Sequence, residues 1–198
     1  MVLNQADAPI AKLLGVYEEE LHATINDVIA APPRTIIDIG AADGYYAVGF
    51  ARACPASDVH AFELAPSGRA SCRELARSNS VRLELHGKAT ARRVRALPLD
   101  GAFVLCDTEG AEATVLDHAT ASAMHRATVV VELHEREVPG ITQVLCGRFV
   151  AHDCTIISGR PRAPDATELE AFTPTERELA IAEWRSYNMT WAVFRPRT

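Results

Sequence analysis

Carboxylates gather where the apolar runs of this chain give way to turns. The stretch Thr35–Tyr46, TIIDIGAADGYY, carries Asp38 just before a glycine turn and Asp43 inside it. Glu63 closes the next apolar run, in DVHAFELAP. Asp107, Glu109 and Glu112 follow a third, in VLCDTEGAEATVLD, and Glu132 and His134 end a fourth, in VVVELHE. An apolar strand does not carry a buried acid without a partner. These positions are therefore where ligands and proton transfers are to be sought.

The elements that position them follow from periodicity. Strands are expected at Thr35–Ile39, Asp58–Phe62, Val81–His86, Ala102–Asp107, Thr128–His134, Val150–Ser158 and Met189–Phe194. Helices are expected near 44–53, 66–78, 90–97, 111–125, 139–148 and 174–186, with one amphipathic helix over 8–30 that Pro32-Pro33 stops. TIIDI, AFVLC and TVVVEL are apolar on consecutive residues, so both faces must be covered, as in a parallel sheet between helices. The β–α alternation agrees. The expected fold is α/β: a Rossmann-like, doubly wound sheet of seven mostly parallel strands, the last antiparallel. One domain is expected over 1–198, with a helical extension (1–33), a core (34–198) and a polar, Pro-rich lid at 158–174. In such sheets ligands bind beyond the carboxyl ends of the strands, where strand order reverses.

Three cofactors compete for the glycine turn. A phosphate-binding loop needs G-K-[ST], which is missing. A dinucleotide fingerprint needs G-x-G-x-x-G, but Ala42 holds the middle position and the third glycine is absent. Asp38 and Asp43 would also repel a diphosphate that the helix N-terminus attracts. S-adenosylmethionine has no phosphate and carries two cationic groups. Asp38 can face its ammonium while Gly40 and Gly44 let the backbone come close; Asp43 is left to serve the turn. Glu63, some 20 residues on, suits a ribose diol. Leu64 beside it and Ala89 after the third strand are candidate nucleoside contacts, and Tyr45 is a candidate cofactor or acceptor contact. The structural alternative is that Asp38 and Glu63 only cap helices. The acid alone does not separate an adenosyl cofactor from NAD.

DIGAADGYY, FELAP, DTEGAEATVL and VVVELH together resemble the FkbM-type methyltransferases of the class I S-adenosylmethionine-dependent fold. The resemblance covers roughly residues 35–135, and the D-x-E-G-A-E run is its most specific part. It implies methyl transfer, commonly to oxygen of sugars or natural products. Ala42 departs from a common glycine, and the chain is short for substrate-covering insertions.

Methyl transfer is an in-line displacement, and aligning the acceptor with the C–S bond can supply about 7–11 kcal/mol. An alcohol acceptor must also lose a proton. His134 is the first candidate base, with Asp107 or Glu132 as its alternate. The second option is a divalent metal on Asp107, Glu132 and His134, whose donors suit Mn²⁺ or Fe²⁺. Glu109 and Glu112 sit where a helix dipole favours acids, so a structural role competes with a functional one. A methyltransferase-like protein that binds without turnover and an NAD-dependent oxidoreductase are the alternatives.

Composition narrows the partners. The chain has 198 residues and a formal net charge of −6. That disfavours non-specific nucleic-acid binding, and Asp107-Thr108-Glu109-Gly110 is not the D/N-P-P-Y/F tetrad of base-amine methylation. No apolar run approaches the roughly 18 residues of a membrane span. The five cysteines form no CxxC pair, so reduced thiols and a cytoplasmic location are expected; a small-molecule acceptor is what the family resemblance implies. The basic run KATARRVRAL reads as a solvated helix face or a dock for an anion. The N-terminal helix would cover the cofactor or form a homodimer seam. Trp184 and Trp191 read as core.

Overall fold

The computed structural model describes residues 9–159, 169–170, 172–181 and 189–197. Most of the expected lid (160–168 and 171), Trp184 and the end of the helix expected over 174–186 lie outside the described residues. The strands are β1 (Thr35–Ile39), β2 (Asp58–Phe62), β3 (Glu84–His86), β4 (Phe103–Cys106), β5 (Thr128–Glu132), β6 (His152–Ser158) and β7 (Thr190–Pro196). They form one sheet in the order β3-β2-β1-β4-β5-β7-β6. β1 to β5 run parallel, and β7 is antiparallel to both β5 and β6.

The helices are α1 (Pro9–Leu14), α2 (His22–Ala30), α3 (Tyr45–Ala53), α4 (Pro66–Ser78), α5 (Ala91–Val94), α6 (Glu112–Val115), α7 (His118–Ala123), α8 (Ile141–Arg148) and α9 (Pro174–Ile181). β1 and β4 are buried along their whole length. One face of the sheet packs Ile37, Val104, Val129 and Val131 against Leu116, Met124 and Leu145. The other packs Ile36, Phe103, Val130 and Trp191 against Leu21, Ala47 and Phe50. Burial on both faces explains the unbroken apolar runs. Among the described residues no helix is long and apolar enough to cross a membrane.

Three elements depart from expectation. The helix expected over 8–30 is broken: α1 ends at Leu14, Gly15 takes φ +68°, and Glu18 takes φ 48° before a 3₁₀ turn leads into α2. Ile10 and Leu13, on the expected apolar stripe, are exposed, while Ala11 and Lys12 are buried. The strand expected over 81–86 pairs only over Glu84–His86. The helix expected over 111–125 is two helices, because Asp117 caps α7 by accepting from the Thr120 backbone N–H at 2.7 Å. Arg95 pairs with the same carboxylate at 2.8 Å, and Arg148 donates to the carbonyls of Ala113 and Leu116 at the end of α6. Asp117→Ala is expected to cost about 1 kcal/mol, seen as a melting point lower by about 2–4 °C.

Candidate active site

The turn after β1 is built by close backbone approach. Gly40 takes φ +92°, and a Cβ there would stand 1.5 Å from the Asp107 carbonyl oxygen. The Asp107 N–H donates to the Ile39 carbonyl at 2.8 Å, and the N–H groups of Gly40 and Ala41 both donate to the Phe62 carbonyl at 2.9 Å. The ends of β1, β2 and β4 are thereby tied together at the point where the chain's path across the sheet reverses. Ala42 is left-handed at φ 47°, and Gly44 (φ +90°) lets α3 start against Cys72.

Two hollows flank this turn. The larger, about 350 Å³, is lined by Gly40, Ala42, Glu63, Leu64, Ala89 and Asp107, among others. The smaller, about 50 Å³, is walled by Lys12, Glu18, Asp38, Asp43, Tyr45 and Asp107, among others. Of the residues expected to bind the cofactor, all but Gly44 line one hollow or the other; Gly44 instead sets the start of α3 behind the turn. Leu64 is 68% exposed, a large apolar side chain offered at the rim of the larger one.

Asp38 is 4% exposed, and its Oδ2 is buried without a hydrogen-bond partner. Burial pushes its carboxyl up to about 7; the Ala47 N–H works against this, while Asp107, Asp43 and Glu18 add to it. A buried acid so destabilised as an anion is set to gain from a cation. Asp43 accepts from the Tyr45 N–H at 3.2 Å and pairs with Lys12 at 3.1 Å. Tyr46 donates to Glu18 at 2.5 Å and packs against the core with Phe50, and both Tyr45 and Tyr46 line the smaller hollow. Glu63 accepts from the N–H groups of Ala42 at 2.9 Å and Ala65 at 2.5 Å. It therefore does cap the turn, and this holds the carboxylate in place beside the larger hollow. Glu63→Gln is expected to weaken nucleoside binding about tenfold, measured by calorimetry, because one such hydrogen bond to a charged group is worth roughly 1.5–3 kcal/mol.

Beyond β4 and β5 the acids converge on one imidazole. His134 is fully buried, with Nδ1 at 2.9 Å from Glu112 Oε1. Its Nε2 lies 3.2 Å from Glu109, 3.7 Å from Asp107 and 3.9 Å from Glu132. Burial opposes a charged ring, but Glu112 and then Asp107 and Glu109 outweigh it, and the His134 pKa is raised. Burial likewise opposes the Glu112 anion, yet the His134 ring and the Gly110 N–H hold its carboxyl at about 2. The same Glu112 oxygen accepts from the Thr108 N–H (3.0 Å), the Thr108 hydroxyl (2.9 Å) and the Gly110 N–H (3.1 Å). Glu112 thus folds the loop after β4 and orients His134. Asp107, Glu112 and His134 also offer ligand atoms within 4.8 Å of one another.

The sequence did not single out Lys12, Tyr17 or Glu18, which reach the turn from the N-terminal segment. Of the basic run, Arg95 is paired to Asp117 and Arg93 donates to the Lys88 carbonyl at 2.9 Å, which favours the helix-face reading over a dock.

No protein-family profile matches the chain, and no curated protein matches it in sequence. Solved structures do match its shape. A precorrin-6y C5,15-methyltransferase from Geobacter metallireducens superposes with a TM-score of 0.60 at 12% identity, over 99% of this chain and 93% of that one. The O-methyltransferase TomG from Streptomyces achromogenes, solved with S-adenosylmethionine, gives 0.56 at 17% identity, over 96% and 81%. An O-methyltransferase from Bacillus cereus, solved with S-adenosylhomocysteine, gives 0.56 at 13%, over 93% and 80%. The chain has the class I methyltransferase fold. In that fold the crevice at the reversal of strand order is the ligand end, and here it is the end fenced by Asp38, Glu63 and Asp107.

Proposed function

We propose that the protein is an S-adenosylmethionine-dependent methyltransferase that methylates a hydroxyl oxygen of a small molecule, of the FkbM type that its D-x-E-G-A-E run resembles. The observation that carries this reading is Asp38: a buried carboxylate with an unpartnered oxygen on the wall of a phosphate-repelling pocket. The residues fit the cofactor. Asp38 would take the ammonium, Lys12 the carboxylate, and Glu63 the ribose. Leu64 and Ala89 would pack on the base. The bound cofactor supplies an activated methyl group.

The chain's own residues do the rest. His134 is the candidate general base, acting through Nε2 because Nδ1 faces Glu112 at 2.9 Å; the ring lines neither hollow, so the acceptor's proton reaches it by way of Asp107, which lines both and lies 3.7 Å from Nε2. Glu112 is a positioning residue: it fixes the ring and the Asp107–Gly110 loop together. The proton received at Nε2 has an exit through Glu109, whose side chain is 83% exposed. Asp107 sits at the mouth of both hollows and is placed to hold the acceptor hydroxyl. A neutral ring is needed to accept the proton, so turnover should rise as pH passes upward through the raised His134 value. A cationic cofactor beside Asp107 would pull that value down and favour the reactive form. Glu132, 3.9 Å from Nε2, is the alternate base.

A divalent cation is the second reading, favoured by the clustering of Asp107, Glu112 and His134 atoms. Asp107 and His134 of the expected set would hold it, with Glu112 in the place expected for Glu132, and it would template the acceptor and acidify its hydroxyl. Incubation with methyl-labelled cofactor and a panel of sugars and phenols, with and without EDTA, tests the proposal. Label in a methyl ether is expected. EDTA loss restored by Mn²⁺ would select the metal route. No transfer to any acceptor, together with no binding of S-adenosylhomocysteine, would refute the reading.

A further inference from the structure

The outer edge of the sheet brings together three side chains that the crevice does not use. His60 on β2 is paired with Glu84 on β3, and His86 lies two residues beyond Glu84. Paired residues, and residues two apart, share a face of a sheet. The donor atoms converge. His60 Nδ1 is 3.3 Å from His86 Nε2 and 3.3 Å from Glu84 Oε2, and His86 Nε2 is 3.9 Å from that same oxygen. We propose that His60, Glu84 and His86 form a site for one Zn²⁺ ion, which clips the three-residue strand β3 onto β2.

The distances suit the ion. Ligand atoms about 2.0–2.1 Å from a tetrahedral zinc stand about 3.3 Å from one another. Two of the three separations already have that value. The third can close because Glu84 is the mobile partner, with a side chain 69% exposed. His60, by contrast, is only 6% exposed. An N–H···N bond between the rings would account for one contact. A ring nitrogen has a single in-plane site, however, so His60 Nδ1 cannot serve His86 and Glu84 at once. A cation between them serves all three. Metal ligation needs neutral imidazoles. Arg93 opposes a cation here, but its guanidinium is turned to the Lys88 carbonyl. Two imidazoles and a carboxylate suit Zn²⁺, leaving a fourth corner for water. The site is separate from the Asp107, Glu112 and His134 cluster, on different strands.

The test uses the full chain freed of metal by chelation. Zn²⁺ is titrated against a chromophoric chelator, Co²⁺ is added as a spectroscopic probe, and melting is followed with and without Zn²⁺. One equivalent of Zn²⁺ is expected, with intense visible Co²⁺ bands of a four-coordinate site and a higher melting point. His86→Ala, at a half-buried position, is expected to lose at least about tenfold in affinity and the melting shift, as is His60→Ala. His134→Ala is expected to keep both. Absence of Zn²⁺ binding by the folded wild-type chain, binding unchanged in His86→Ala, or binding lost in His134→Ala instead would overturn the proposal.

Discussion

Asp38→Asn is expected to make the free protein more stable at pH 8 while weakening S-adenosylhomocysteine binding about 10- to 100-fold. Both effects have one cause. The unfolded chain ionises Asp38 near 3.8, and the folded chain holds its proton up to about 7. Between those values the folded state binds a proton that the unfolded state has lost, so stability falls as pH rises through that window. Above it, carrying the buried anion costs roughly 4 kcal/mol. Asn removes that cost and flattens the dependence of melting on pH. The same anion is what a ligand ammonium would meet, at roughly 1.5–3 kcal/mol for a charge-assisted bond. Wild-type affinity should therefore climb as pH rises through about 7, with a proton released on binding below it. Calorimetry in buffers of different ionisation enthalpy reads that proton directly. A variant that is less stable at pH 8, or that binds as tightly as wild type, would refute this role.

His134→Ala is expected to lower kcat by about 10²–10⁴-fold, with the cofactor affinity nearly unchanged because the ring lines neither hollow. Glu112→Gln separates orientation from proton transfer. It removes the carboxylate that raises the His134 pKa, so the acid limb of the kcat profile should move to lower pH while kcat itself falls. It also disturbs the Thr108 and Gly110 contacts, so stability must be followed beside activity. The signs are opposite for the two partners. The His134 contribution is full below the ordinary histidine value and fades as pH rises through its raised one. The Glu112 contribution is full above the ordinary carboxylate value and fades as pH falls toward about 2. An acid limb that stays in place in Glu112→Gln would argue against the pair.

The fold was legible because its strands are buried on both faces and read as unbroken apolar runs. The fenced turn was legible because Asp38 and Asp43 are wrong for phosphate, while Glu63 suits a ribose. The N-terminal segment was not, since its break depends on a left-handed Glu18, a conformation that sequence pattern does not signal for that residue type. Without that break Lys12 cannot be placed beside Asp43, 31 residues away. Glu112 was ambiguous for a local reason: an acid in a first helical turn already has an explanation in the helix dipole. Its burial and its grip on His134 come from tertiary packing alone. The split of 111–125 had a signal in Asp117, a good N-cap residue, which the apolar spacing masked. The meeting of His60 with His86 depends on strand register, and register is invisible until the neighbours of β2 are known.

In the proposed function the crevice is charged for a cationic nucleoside without phosphates. Parallel calorimetric titrations of the wild-type chain with S-adenosylhomocysteine and with NADH test it most directly. The expected result is saturable one-to-one binding of the first, strengthening from pH 6 to pH 8, and no heat from the second. Saturable NADH binding competed by pyrophosphate, with none of S-adenosylhomocysteine, would contradict it.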